Sequence, residues 1–245
     1  MKLSKRLRAV ADFVEPGSIL ADIGTDHGYL PIAAIEEKRI PSAIACDLNQ
    51  GPLSAAERAV KEANMEEVIS LRLGDGLAPI KPGEVPNAAI AGMGATTIIH
   101  ILEGAPEVTD SLSRLILQPM SGAGLMRKWL AENDWFIVAE TLVEEDGIIY
   151  EVIAAEPGRM PIKPIMCDVG PLLWLGKHPL IKKHIYRLMQ SDKAILDNMK
   201  KGKHAVDSEK YKAIKEHYVE LEKMFRCLYL VKRSLIGWNS LHRKS

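Results

Sequence analysis

The sequence predicts an α/β fold. It is a doubly wound, seven-stranded sheet ending in an antiparallel hairpin, followed by an α-helical hairpin of coiled-coil character. Three observations carry this. Short apolar segments alternate with helix-like ones through the first half of the 245-residue chain, the rhythm of a parallel sheet covered on both faces. The last two apolar segments are separated by only the seven residues Thr141–Gly147, too few for a helical crossover. Beyond Pro179 the apolar spacing becomes that of packed helices.

Strands are expected at 18–23, 42–47, 69–73, 87–92, 114–118, 135–140 and 148–154. They are short and rich in Ile, Val and Ala, as strands buried on both faces are. Helices are expected at 30–38, 51–63, 96–103 and 123–133. Glu156-Pro157-Gly158, with Pro161 and Pro164 beyond, reads as a linker. It divides the chain into residues 1–157 and 158–245. In the second part Tyr211, Ile214, Tyr218, Leu221, Phe225 and Leu228 make a heptad-type seam. Ile181, Ile185, Leu188, Ile195 and Met199 make its partner. Lys200-Lys201-Gly202-Lys203 is expected to close the first of these helices, and Asp207 or Ser208 to cap the second.

The formal net charge is zero, with 32 Lys+Arg against 32 Asp+Glu. The halves differ sharply. Residues 1–157 carry a net −11 and residues 158–245 a net +11. A basic module beside an acidic one suits a polyanionic partner, or an electrostatic match between the halves. No apolar run reaches the length of a membrane span, and no apolar signal core follows the basic N-terminus. Cys46, Cys167 and Cys227 fit neither a zinc spacing nor a disulfide framework. The expected setting is the reducing cytoplasm, with no metal and no membrane.

Four acidic or glycine-rich points fall at strand ends, where open α/β sheets bind ligands. The first is Asp22, Gly24, Asp26 and Gly28. The second is Asp47 with Leu48, 25 residues after Asp22, where a carboxylate can accept both ribose hydroxyls of an adenosine. The third is Asp75-Gly76, beside the adenine position. The fourth is Gly92-Met93-Gly94, at the reacting end. A nicotinamide fingerprint would place a diphosphate on the first turn. An aspartate there repels phosphate and favours an ammonium group. Adenosine, an ammonium and no phosphate together describe S-adenosyl-L-methionine. Each acid also has a plainer reading: Asp26 as a helix cap, Asp75 as a turn residue. His27 has one too, as a structural histidine.

The runs Asp22-Ile23-Gly24-Thr25-Asp26-His27-Gly28-Tyr29-Leu30-Pro31, Asp47-Leu48-Asn49-Gln50-Gly51-Pro52-Leu53, Gly74-Asp75-Gly76-Leu77, Ala91-Gly92-Met93-Gly94 and Leu117-Gln118-Pro119 resemble those of the bacterial tRNA (adenine-22 N1) methyltransferases. The likeness continues through Arg127-Lys128-Trp129-Leu130 and Glu151. It covers the first two thirds of the chain well, and the helical tail matches in character. One departure is Ala95, where the family pattern suggests a further glycine. The resemblance implies a class I, Rossmann-like methyltransferase acting on N1 of an adenine in the D-loop region of tRNA. By resemblance, Asp22, Gly24, Asp26, Gly28, Asp47, Leu48, Asp75 and Gly76 line the cofactor site. Gly92, Met93 and Gly94 lie where the target base meets the methyl group.

Neutral adenine N1 has a free lone pair, so the chemistry needs positioning more than a strong base. Asp26, His27 and Tyr29 are the candidates for orienting the base. Lys2, Lys5, Arg6, Arg8 and the basic tail are the candidates for phosphate contacts. The helical seam can close within one chain or between two, so a monomer or weak homodimer is expected. The rival readings are methylation of another RNA position or of a small molecule, a nicotinamide oxidoreductase, and an RNA-binding scaffold.

Overall fold

The computed structural model describes residues 2–201 and 205–241, and within the last helix it describes side chains as far as Leu228. The sheet strands are β1 (Leu20–Ile23), β2 (Ala43–Asp47), β3 (Ile69–Leu73), β4 (Asn87–Gly94), β5 (Arg114–Ser121), β6 (Trp135–Glu145) and β7 (Ile148–Pro157). They form one seven-stranded sheet in the order β3-β2-β1-β4-β5-β7-β6. The first five pair in parallel, and β7 runs antiparallel to both β5 and β6. This is the predicted doubly wound sheet with its terminal hairpin. The order reverses direction between β1 and β4, so a crevice opens there at the strand ends.

The helices around the sheet are α1 (Lys5–Phe13), α2 (Tyr29–Glu36), α3 (Gln50–Glu62), α4 (Ala95–Glu103), α5 (Pro106–Ser111) and α6 (Ala123–Glu132). Every residue of β1 and β2 is buried, because helices cover both faces. On one face Ile23, Ile90 and Leu117 pack with Ile98 of α4 and Met126 of α6. On the other Leu20, Ala89 and Ile116 pack with Val10 of α1 and Leu30 of α2.

α1 was not foreseen; the segment reads as a basic terminus. Its signals are nevertheless present. Ser4 Oγ accepts from the Leu7 N–H at 3.2 Å, and Leu7, Val10 and Val14 follow at helical spacing. β6 and β7 also run further than expected, and their turn shrinks to Asp146-Gly147, both at positive φ (51° and 79°). That is the two-residue turn that matches strand twist.

The stretch expected to be a linker holds two short helices, α7 (Pro164–Val169) and α8 (Pro171–Leu175). Each carries proline in its first turn, where a missing N–H costs nothing. Then come α9 (Ile181–Met199) and α10 (Glu209–Leu241), separated by a 3-10 turn at Ala205–Asp207. Ser208 caps α10, accepting from the Tyr211 N–H at 3.2 Å. Gly202 and Lys203, expected to close α9, lie outside the described residues.

Ile181, Ile185 and Met189 of α9 and Leu221 of α10 share a core with Val169, Leu173 and, from the β6–β7 hairpin, Leu142 and Ile149. Ile195 of the predicted seam is 41% exposed, and Leu196 packs inward instead. Arg127 of α6 stitches the parts together. It is wholly buried, donating to Glu140 of β6 at 2.5 Å, Glu151 of β7 at 2.9 Å and the Cys167 carbonyl of α7 at 2.8 Å. Arg187 of α9 reaches the same Glu151 at 3.2 Å.

Candidate active site

A cleft of about 950 Å³ opens at the C-terminal ends of β1–β4. Asp22, Gly24, Asp26, His27, Tyr29, Asp47, Leu48, Asp75, Gly76, Gly92 and Met93 all line it. Gly28 and Gly94 do not. Gly28 sits at φ 69° as the N-cap of α2, and Gly94 precedes α4 as its N-cap. Their places are in the turns that lead out of the cleft.

Asp47 ends β2, and its carboxylate is held by the main chain. Oδ2 accepts from the Asp26 N–H at 3.2 Å and Oδ1 from the Asn49 N–H at 2.9 Å. One donor per oxygen leaves lone pairs free on both, the arrangement that suits two neighbouring ribose hydroxyls. Asp22 ends β1 under the turn. Burial pushes its carboxyl up to about 6; the Thr25 hydroxyl, donating at 2.6 Å, works against that shift, and nearby Asp47 adds to it.

The turn between β1 and α2 is tight. Gly24 has φ 72°, and a Cβ there would fall 2.1 Å from the Met93 methyl, so glycine serves both backbone and packing. Asp26 adopts φ 54°, a left-handed conformation that aspartate tolerates better than most residues. Its carboxylate lies 3.5 Å from His27 Nε2. His27 and Tyr29 stack with ring centroids 5.1 Å apart and planes 17° off parallel. Tyr29 is 43% exposed, so the pair forms an aromatic platform at the cleft mouth.

At the other end β4 bulges. Its register with β5 shifts between Ala91 and Met93, and Gly92 takes φ 80°. A bulge re-aims the backbone next to a site. The Gly92 N–H donates instead to Gln118 Oε1 at 3.1 Å. Gln118 and Arg6 were missed as site residues. Leu117-Gln118-Pro119 stands in the sequence only as a motif, and Arg6 was grouped with the surface cations. Arg6 in fact turns into the cleft with Lys2, Leu3, Ser4 and Leu7. Arg8 pairs with Glu37, and the Lys5 N–H with Glu145.

The residues fit the ligand inferred from sequence. The carboxylates of Asp22, Asp26, Asp47 and Asp75 line the cleft; they disfavour a diphosphate and suit an adenosine that carries positive charge. Among the described residues no group of His, Cys, Asp and Glu is placed to hold a metal ion. No described helix is long and apolar enough to cross a membrane.

A methyltransferase domain family model matches residues 3–153. The tRNA (adenine(22)-N(1))-methyltransferase of Bacillus subtilis (strain 168) is 37% identical over 219 residues, which is 86% of this chain and 90% of that protein. The crystal structure of the B. subtilis m1A22 tRNA methyltransferase TrmK superposes with a TM-score of 0.81 at 35% identity, over 91% of this chain and 99% of that one. A Streptococcus pneumoniae relative in complex with S-adenosyl-L-methionine superposes at 0.78, with 32% identity over 91% of this chain and all of that one. Domain, near-complete coverage and cleft agree: the chain belongs to the bacterial tRNA (adenine(22)-N1)-methyltransferase family.

Proposed function

We propose that this protein methylates N1 of adenine 22 in tRNA, using S-adenosyl-L-methionine. The carrying observation is the Asp47 carboxylate, fixed by one main-chain donor on each oxygen beside the buried Asp22. It is a receptor for an adenosine with no phosphate cradle. Asp22, Asp47, Asp75 and Gly76 would hold the cofactor, which supplies an electrophilic methyl group.

The chain's own task is placement. Adenine N1 attacks through a lone pair that needs no deprotonation, so the residues must extrude the base, orient it and exclude water. The His27–Tyr29 stack offers the extruded base a face to lie on. The exposed Asp26 carboxylate at the same rim stabilises the positive charge that grows on the ring. Asp26, His27 and Tyr29 are therefore assigned to the base.

The polyanion is received by the basic helical part, where Lys193, Lys215 and Lys223 are exposed. Reversing these three charges should weaken tRNA binding and leave cofactor affinity intact. Unchanged tRNA affinity would remove that role. Among the described residues, Tyr218, Leu221, Phe225 and Leu228 of the α10 seam pack inside the chain with α9 and the β6–β7 hairpin, which supports a monomer or at most a weak homodimer. A tRNA substrate and free cysteines fit a cytoplasmic setting.

The decisive experiment incubates the protein with labelled S-adenosyl-L-methionine and bulk tRNA, then maps the modified nucleoside. Label in 1-methyladenosine at position 22 is expected. Label elsewhere, or none, overturns the assignment.

A further inference from the structure

We propose that Arg6 is an oxyanion-binding residue at the reacting end of the cleft, held in position by Gln118. The proposal rests on the methyltransferase reading and adds a residue to it. Arg6 is half-buried on α1 and lines the cleft. Its Nη1 donates to Gln118 Oε1 at 2.5 Å, and its guanidinium lies 5.8 Å from the centre of the Tyr150 ring. A Cβ on Gly92 would lie 3.7 Å from the same Nη1. The guanidinium therefore sits directly against the bulge where base and methyl group meet.

Gln118 is a positioning residue. It is wholly buried. Its one carbonyl oxygen accepts from both Gly92 and Arg6, and its amide group faces Met120 Sδ at 3.7 Å. From β5, 112 residues beyond Arg6, the amide thus ties α1 to the bulge of β4. A glutamine does this without neutralising the arginine.

That neutrality is the telling point. Arg8, Arg72, Arg114 and Arg127 each pair with a glutamate. Arg6 pairs with no carboxylate among the described residues, although four aspartates line the same cleft. A half-buried guanidinium with unused donors is costly unless a ligand completes it. The reaction makes the need sharper. The single positive charge lies on the cofactor's sulfonium before transfer and on the adenine ring after it, so a bare guanidinium beside them disfavours both the bound cofactor and the product. An oxyanion must arrive with the ligands. Two are available: the α-carboxylate of the cofactor's methionine part, and the phosphodiester of the target nucleotide. Both present the planar or forked oxygens that arginine grips with two N–H groups.

The test uses the full chain and three variants: Arg6→Gln, Arg6→Lys and Gln118→Glu. The last places a carboxylate against Arg6 and keeps an acceptor for Gly92. It satisfies the guanidinium internally without removing it, and it serves if Arg6→Gln fails to fold. Two quantities are measured: affinity for S-adenosylhomocysteine by calorimetry, and the salt dependence of tRNA binding. If the anion is the cofactor carboxylate, Arg6→Gln and Gln118→Glu weaken the nucleoside about tenfold or more, and the salt slope stays. If it is the phosphodiester, nucleoside affinity stays and the slope falls by about 0.7–0.9, the value of one phosphate contact. Arg6→Lys keeps the charge and retains part of either effect. A merely structural Arg6 would tolerate Gln118→Glu. Wild-type affinity and slope in both Arg6→Gln and Gln118→Glu overturn the proposal. A wild-type protein that binds no S-adenosylhomocysteine and methylates no tRNA overturns the methyltransferase reading itself.

Discussion

The Asp26 main-chain N–H donates to Oδ2 of Asp47 at 3.2 Å. This bond joins the turn after β1 to the end of β2, alongside the Gly24 and Thr25 N–H groups that donate to the Cys46 carbonyl, and so sets these two parts of the cleft relative to each other. Asp47→Asn keeps the size but turns one acceptor into a donor. The side chain can then no longer accept from Asp26 and Asn49 together and still face a ribose. Affinity for S-adenosyl-L-methionine should fall by about 1.5–3 kcal/mol, the worth of hydrogen bonds to a charged group. Calorimetry checks it, and an affinity within twofold of wild type removes Asp47 from the site.

Asp22 should make binding of S-adenosyl-L-methionine depend on pH. Burial lifts its carboxyl to about 6, so in the empty protein it takes up a proton well above the ordinary carboxylate range. A cationic ligand prefers the ionised form. Affinity should therefore be steady above pH 7 and decline as pH falls through 6, approaching about tenfold per pH unit. The cost of burying this carboxylate is relieved over the same range, so the empty protein loses no stability through Asp22 as pH falls from 6 to 4. Asp22→Asn should bind weakly with a flat profile between pH 5 and 7. A titration of both proteins by calorimetry decides; matching slopes would show that another group is responsible.

The strand ends were legible because each is a local pattern. An apolar run ends in an acid or a glycine, and β1–β4 carry Asp22, Asp47, Asp75 and Gly92 to one edge. The hairpin was legible from the short gap before Ile148, although the acidic Glu144-Glu145 disguised how far β6 continues. What escaped was of two kinds. α7 and α8 begin with Pro164 and Pro171, and proline reads as a linker unless it is placed at a first helical turn. Arg6 and Gln118 meet only in the folded chain, so no spacing announces them. The same holds for Arg127, whose partners Glu140, Glu151 and Cys167 come from three different elements.

Arg127 is the most consequential of these for stability. It is wholly buried against Glu140, Glu151 and the Cys167 carbonyl. Arg127→Met leaves the buried Glu140 carboxylate without its cation, while Glu151 keeps Arg187, and should cost about 3 kcal/mol or more. Arg127→Met together with Glu140→Gln and Glu151→Gln removes the charges at once and should cost clearly less. Urea denaturation measures both. Equal losses in the single and triple variants would mean that the cavity, rather than the unpaired charge, dominates.

His217 of α10 ties the helical part by charge. Its Nδ1 is 2.7 Å from Asp192 Oδ2 on α9, and its Nε2 is 3.3 Å from Asp168 Oδ2 on α7. The Asp168 carboxylate beside Nε2, with the hydrogen-bonded Asp192 adding to it, raises the imidazole to about 9 against the opposing effect of burial. A histidine raised in the folded state stabilises it fully below its ordinary value near 6.5, and the stabilisation is lost as pH rises through 9. After allowance for partial exposure, the contribution near pH 6 is about 2 kcal/mol. Thermal unfolding should show the midpoint dropping between pH 7 and 9.5 in the wild type. In His217→Gln the midpoint should start lower and stay nearly level over that range. Asp192→Asn removes one of the two partners, so it should shift the wild-type drop to lower pH rather than abolish it. An identical pH dependence in wild type and His217→Gln would show that the imidazolium carries none of this stability.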